Sequence, residues 1–138
     1  MRMQPIAYNG LYIINDAYNS NPDSLKSALE FFSNMETTGK RIAVLGDMLE
    51  LGEHSHALHL KAGQSIPSNV SVLITVGQGS REIARGAARR IESIIPCETP
   101  KAAVQQLRAY AQSGDAVLIK GSRGMKLEQI LGELMRET

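Results

Sequence analysis

The sequence predicts an α/β fold: a Rossmann-like three-layer sandwich whose mostly parallel sheet has about six strands, with one antiparallel edge strand from an N-terminal hairpin. Three observations predict it. Short apolar runs at Ile42-Ala43-Val44-Leu45, Val72-Leu73-Ile74-Thr75-Val76 and Ala116-Val117-Leu118-Ile119 have the length and character of strands buried on both faces. Segments with apolar residues at helical spacing alternate with those runs. Near the N-terminus, Asn9-Gly10 parts two segments rich in Ile, Tyr and Leu, and both residues tolerate the positive φ of a tight hairpin turn. A chain of 138 residues fits a single domain, residues 1–138, and is long enough to bury a core.

The elements follow in order. The first strand, Gln4–Tyr8, belongs on a sheet edge, where the missing N–H of Pro5 costs little. Leu11-Tyr12-Ile13-Ile14 is the second strand and runs into a polar turn. A helix then starts, with Asn21 as its cap, Pro22 at its first position and Asp23 facing the positive end of its dipole. It buries Leu25, Ala28, Leu29 and Phe32 and runs to about Met35. After the strand at 42–45, a helix is expected over Ser55–Gln64. After the strand at 72–76, Ser80 is expected to cap a helix with Ile83, Ala84, Ala87, Ala88 and Ile91 inward. Ile94-Ile95 reads as a short strand stopped by Pro96. Thr99-Pro100 opens a helix to about Gln112, with Ala103, Val104, Leu107 and Ala111 on one face. The last strand precedes a helix over residues 125–136. Every strand ends in a polar or Gly-rich turn, so a binding site is expected along that one rim.

Composition narrows the function classes. Hydrophobic residues are 43% and charged residues 21% of the chain, as in an ordinary globular domain. There is no Trp and aromatics are 4%, so the interior must rest on aliphatic residues and Met. A net charge of +1 gives no bulk attraction to nucleic acid or to an anionic membrane. The single cysteine, Cys97, rules out an internal disulfide and fits a reducing compartment. No segment has signal-peptide character, and no run nears the roughly 18 apolar residues of a membrane span. The expectation is a cytoplasmic protein, or a piece of one, with no nucleic-acid partner and no membrane insertion.

Four segments carry candidate chemistry, each with a plainer alternative. Asp16-Ala17-Tyr18-Asn19-Ser20-Asn21-Pro22-Asp23-Ser24 gathers Asp, Asn and Ser side chains and a Tyr at a strand-to-helix turn. Asp16 could accept hydrogen bonds from ribose hydroxyls, Tyr18 could flank a flat ring, and Asn19 and Asn21 could hold amides or phosphate oxygens. Turn and cap chemistry alone explains residues 21–24 about as well. Lys120-Gly121-Ser122-Arg123-Gly124 could bring backbone N–H groups and two cations to an anion at a helix start, or be a solvated basic joint. Gly77-Gln78-Gly79 opens like a dinucleotide fingerprint but has Glu82 where the third glycine is needed, so a plain joint is favoured. The only Gly-Lys pair, Gly39-Lys40, is followed by Arg41, so the chain lacks the phosphate P-loop.

The remaining polar clusters favour structural readings. His54, His56 and His59 stand at offsets that do not converge on one helix face, which argues against a three-His metal site. Arg81, Arg85 and Arg89 form a stripe of the kind that usually faces solvent. Cys97 has no neighbouring His or Asp to activate it. The carboxylates Asp16, Asp23, Asp47 and Glu50 could share the rim.

Three ordered segments together, residues 16–24, Val44-Leu45-Gly46-Asp47-Met48-Leu49-Glu50-Leu51-Gly52 with His59 after it, and Lys120-Gly121-Ser122-Arg123, resemble the C-terminal domain of the Mur ligases. The resemblance covers nearly the whole chain. Asn19 and Ser122-Arg123 stand where the branch that adds the third amino acid, and in the first case the folylpolyglutamate ligases, carry His or a His-Glu pair. That favours the branch that adds D-alanyl-D-alanine. Arg2-Met3 is similar to the family's Gly-Arg-Met segment at a domain junction, with Met1 in place of the Gly.

The resemblance implies an ATP-dependent, ADP-forming ligase joining D-alanyl-D-alanine to UDP-N-acetylmuramoyl-tripeptide in peptidoglycan precursor synthesis. It implies that ATP and magnesium are held by a central domain carrying the P-loop and a modified lysine. The UDP-sugar would sit on an N-terminal domain, and both those domains would lie outside this chain. It places Arg2, Asp16, Tyr18 and Asn19 at the nucleotide, and Asn21, Lys120, Ser122 and Arg123 at the dipeptide or acyl phosphate. Asp47, Glu50 and His59 would stand behind them. No catalytic residue and no metal ligand is expected in this domain, and the chain alone is expected to be inactive. Two alternatives remain open: a stand-alone nucleotide- or phosphate-binding module, and the same domain of another Mur-type ligase.

Overall fold

The hairpin forms where Asn9-Gly10 predicts it, with φ of 50° and 80° at the two turn residues. The computed structural model describes residues 4–136. Its strands are β1 (Gln4–Tyr8), β2 (Leu11–Asp16), β3 (Arg41–Gly46), β4 (Val72–Val76), β5 (Ser93–Cys97) and β6 (Ala116–Lys120). Its helices are α1 (Pro22–Asn34), α2 (Ser55–Gln64), α3 (Ser80–Ala87), α4 (Pro100–Tyr110) and α5 (Glu128–Met135). The sheet order is β1-β2-β6-β3-β4-β5. Only β1 runs antiparallel to its neighbour.

Because side chains alternate along a strand, the continuous apolar runs feed two cores. Ile13, Val44, Ile74, Val117 and Ile119 point to one face, where Val104 and Leu107 of α4 and Ile130 and Leu134 of α5 cover them. Ile14, Ala43, Leu45, Leu73 and Leu118 point to the other, under Leu25, Leu29 and Phe32 of α1 and Ile83 and Ala87 of α3. The three-layer α/β expectation is therefore met. Helix α2 reaches this second core mainly through Ala62, because its backbone lies against α3. A Cβ on Gly63 would stand 2.0 Å from the Ile83 carbonyl oxygen, and one on Gly86 would stand 2.2 Å from that of Leu60.

The local signals hold at most boundaries and fail at five. Asn21 and Ser24 form a reciprocal capping box at α1, and the Thr99 hydroxyl accepts the Ala102 N–H at α4. Ser80 is not the cap of α3: Gly79 holds that position, and the Ser80 N–H is taken by Asp47 Oδ1 from the loop after β3 (2.6 Å). That helix ends at Ala87, leaving Ala88 exposed. Pro96 does not stop β5 but lies in it, paired in register with Thr75. This strand is at the sheet edge, where no neighbour needs its N–H. Helix α4 ends at Tyr110, since Ala111 is extended. The last helix does not start at Met125: a 3-10 turn (Arg123–Met125) and Lys126 at φ 58° intervene before α5.

Candidate functional site

Strands β2, β6 and β3 are neighbours, so the three loops leaving their C-terminal ends lie side by side. In register, Asp16 at the end of β2 pairs with Lys120 at the end of β6. Both side chains are 1% exposed, and Lys120 Nζ donates to Asp16 Oδ2 (2.7 Å) and to the Asn19 carbonyl (2.8 Å). A lysine enters so dry a place only with its charge matched and its donors used. This ion pair therefore ties the first loop to the last.

Ser122 continues the stitching. Its hydroxyl donates to the Ser20 carbonyl (3.1 Å) and accepts the Leu49 N–H (2.8 Å), while its own N–H donates to the Asp47 carbonyl (3.1 Å). One small side chain thus joins all three loops. The middle loop is pinned from beneath as well. The Met48 N–H donates to His59 Nε2 (2.9 Å), and His59 Nδ1 lies 2.7 Å from the Ser55 carbonyl. Those partners assign the proton to Nδ1 and leave Nε2 bare. Asp47 reaches sideways to the Ser80 N–H, over Gly77 and Gly79, where a side chain would strike Asp47 or His59. The loop turns at Glu50, a non-glycine residue at φ 65°. Such a conformation costs on the order of 1 kcal/mol and persists because the rest of the loop is fixed.

Between the three loops lies an open cleft of about 640 Å³, lined by residues 18–21, 49–51 and 122–124. Tyr18 is 39% exposed there, and Asn19, Leu49, Glu50 and Arg123 are exposed beside it. The Ser20 hydroxyl is buried without a hydrogen-bond partner among the described residues, as is Asp16 Oδ1. A groove of about 260 Å³ between α1 and α2 brings together none of the predicted binding residues.

Several predicted site residues are therefore gathered, but with different chemistry from that expected. Tyr18, Asn19, Ser122 and Arg123 share the cleft with Glu50. Asp16 and Lys120 lie beneath it and are consumed by one another. Asn21 lines the cleft but uses its side-chain oxygen to accept the Ser24 N–H (2.9 Å). Asp47 and His59 act on the loop backbone from behind. Arg2 lies outside the described residues. The 120–124 turn does not present a helix start to an anion, because α5 begins only at Glu128. Ser20, Leu49, Leu51 and Gly124 also line the cleft. They stand within the three segments that the sequence marks, but carry no individual role there.

Among the described residues no group of three His, Cys, Asp or Glu stands close enough to hold a metal ion. The one lysine of the 120–124 turn is buried in its ion pair, so of that turn's two cations only Arg123 lines the cleft. No helix among the described residues is long and apolar enough to cross a membrane.

The family described as "Mur ligase, glutamate ligase domain" matches residues 1–123. The chain belongs to that family. Among known relatives, the UDP-N-acetylmuramoyl-tripeptide--D-alanyl-D-alanine ligase of Bacillus subtilis is 40% identical over 98% of this chain and 30% of its own length. The corresponding ligase of Mycobacterium leprae is 34% identical over 86% of this chain and 26% of its own. The MurF ligase of Thermotoga maritima, solved in complex with ADP, superposes with a TM-score of 0.83 at 26% identity, over 99% of this chain and 30% of that one. As a Mur ligase domain, the chain thus spans about 30% of the length of the relatives it matches.

Proposed function

We propose that this Mur ligase domain forms the nucleophile side of an ATP-dependent ligase that joins D-alanyl-D-alanine to UDP-N-acetylmuramoyl-tripeptide in peptidoglycan precursor synthesis. One observation carries the reading: three strand-end loops, stitched through Ser122, enclose a polar cleft in a chain that corresponds to about 30% of such ligases. The proposed reaction needs ATP, magnesium and a UDP-sugar. This chain has no P-loop, and its described residues offer no metal site. Those groups therefore belong to domains with which the cleft must meet, and closure of one domain over another would complete the site. Tyr18 and Asn19 would border the nucleotide, and Ser122 and Arg123 would border the incoming dipeptide. Asp16 and Lys120 hold the loops that present them. A reaction on ATP and a UDP-linked precursor belongs in the cytoplasm, where both are made.

A stand-alone phosphate-binding module has less support. It is motivated by the partial Gly-rich turns, and in the turn at 120–124 Lys120 is taken up by Asp16 and no helix begins until Glu128, which leaves Arg123 as that turn's one exposed cation.

The test is a chimera in which this chain replaces the matching portion of the Bacillus subtilis ligase. The chimera is expected to release ADP and form the pentapeptide product only with D-alanyl-D-alanine present, whereas the chain alone turns over no ATP. A folded chimera that binds ATP yet makes no product, or ATP turnover by the chain alone, would overturn the proposal.

A further inference from the structure

The turn after β4 is shaped for an anion, and the anion it holds is a side chain of this protein. Strands β3 and β4 are neighbours, so the loop after β3 reaches the turn Gly77-Gln78-Gly79-Ser80. There Asp47 Oδ1 accepts the Ser80 N–H at 2.6 Å. A Cβ on Gly77, whose φ is 109°, would stand 2.7 and 2.8 Å from the two carboxylate oxygens, and one on Gly79 would stand 3.2 Å from the carboxyl carbon. The two glycines thus leave room that the Asp47 carboxylate fills, at the end of α3 where the helix dipole favours negative charge.

The next residue is held from the same side. The Met48 N–H donates to Nε2 of His59 at 2.9 Å, and His59 is 0% exposed with Nδ1 2.7 Å from the Ser55 carbonyl. Helices α2 and α3, which supply His59 and Ser80, meet backbone to backbone at Gly63 and Gly86. Asp47 and Met48 are therefore both fixed to the α2–α3 pair, whereas the Asp16–Lys120 pair fixes the first and last loops to each other. Residues 49–51, the middle loop's share of the cleft wall, begin where the α2–α3 contacts end. None of Asp47, His59, Gly79 and Ser80 lines the cleft itself.

We propose that Asp47 and His59 are positioning residues for the ligation assigned above, on which this inference rests: they seat the loop after β3 on α2 and α3, and so set where Leu49, Glu50 and Leu51 stand when the dipeptide arrives. Neither touches a substrate. The 77–80 turn is the receptor of an internal carboxylate, and its likeness to a dinucleotide fingerprint reflects a glycine turn closing on a carboxylate of the chain instead of on a pyrophosphate. Because the first loop is held by a different contact, loss of the seat disturbs the middle wall and spares the nucleotide edge at Tyr18 and Asn19.

The test measures KM and kcat in the chimera for Asp47→Ala, Asp47→Asn, His59→Phe, His59→Gln and Gly79→Ala. Asp47→Ala and His59→Phe are expected to raise KM for D-alanyl-D-alanine on the order of tenfold, the scale of a displaced contact, while KM for ATP stays within about twofold. Asp47→Asn keeps an oxygen for the Ser80 N–H and His59→Gln keeps one for the Met48 N–H, so each should recover part of that loss. Gly79→Ala should raise the same KM by about threefold from outside the cleft, and should add less than that to Asp47→Ala, because the carboxylate it presses on is gone. A merely structural role gives another pattern: kcat falls with the folded fraction and both KM values hold. That pattern, equal rises in both KM values, or oxygen-keeping variants as weak as the Ala and Phe ones would overturn the inference and leave the proposed function standing. If the parent chimera binds ATP but makes no product, the proposed function fails, and the seat is judged on this chain by amide hydrogen exchange. Asp47→Ala and His59→Phe are then expected to speed exchange of the Met48 and Leu49 N–H groups about tenfold while protection of β6 holds. Unchanged exchange at 48 and 49 would overturn the seat as well.

Discussion

Lys120 illustrates how a residue can be indispensable to a cleft without entering it. Its ammonium has Asp16 on one side and the Asn19 carbonyl on another, and it is 1% exposed. Removing one member of such a pair strands the other charge out of water, at a cost of about 3–5 kcal/mol. Lys120→Met and Asp16→Asn are each expected to lower stability on that scale, Lys120→Met more because it leaves a bare carboxylate. The double variant is expected to be less damaged than the sum of the two, by about 1–3 kcal/mol. Urea unfolding of the parent and the three variants measures this; additive losses would mean that the two groups do not depend on one another. Loss of ligation in a Lys120 variant would by itself say nothing about substrate contact.

At the scale of elements, glycine separates positions that look alike in sequence. Gly63 lies within α2 and Gly132 within α5, and in an isolated helix either would gain up to about 1 kcal/mol on replacement by Ala. At Gly63 the added methyl meets backbone, 2.0 Å from the Ile83 oxygen, whereas at Gly132 nothing lies within 4 Å. Gly63→Ala is therefore expected to lower stability by about 1–3 kcal/mol as α2 and α3 are forced apart, and Gly132→Ala to raise it slightly. Thermal unfolding with opposite shifts for the two variants is the expected result; a rise in both would show that the helices can separate freely.

The same contrast explains how much was legible in the sequence. Local signals report what neighbours along the chain do: Asn9-Gly10 made its turn, Asn21 and Thr99 capped their helices, and the apolar runs became strands. Contacts between distant loops left no such mark. Asp47 took the capping role expected of Ser80 from 33 residues away, and Asp16 met Lys120 across 104. In sequence both Asp16 and Lys120 look ligand-facing, because a charged residue at a strand end has no local partner there. Lys126, at φ 58°, broke the last helix at a residue with no glycine or proline to announce it.

For the whole molecule, the decisive feature is that the last strand lies between the second and the third. It is fastened at both ends: by Lys120 to β2 at the cleft, and by Asp115 to the start of β3 at the opposite edge. There the Asp115 carboxylate accepts the Lys40 N–H (2.9 Å), the Gln112 N–H (2.8 Å) and the Lys40 ammonium (2.7 Å). Burial acts to push the Asp115 carboxyl up, but the Lys40 ammonium bond, the two N–H donors and the Lys40 charge together outweigh it and hold the group below its ordinary value of 3.8. A carboxyl that is more acidic folded than unfolded stabilises the fold fully above the unfolded pKa, about 4, and loses that contribution as pH falls through the folded one. Asp115→Asn, which keeps the size but cannot satisfy both N–H groups and the ammonium, is expected to cost about 2 kcal/mol at neutral pH. The gap between parent and variant should stay level from pH 7 to about 5 and narrow below about 4, as the parent carboxyl takes up its proton. Urea midpoints measured across that range decide it. A gap as wide at pH 3 as at pH 7 would mean that the carboxylate's charge does not help to hold the central strand, and that packing of Ala116 to Ile119 alone keeps it between β2 and β3.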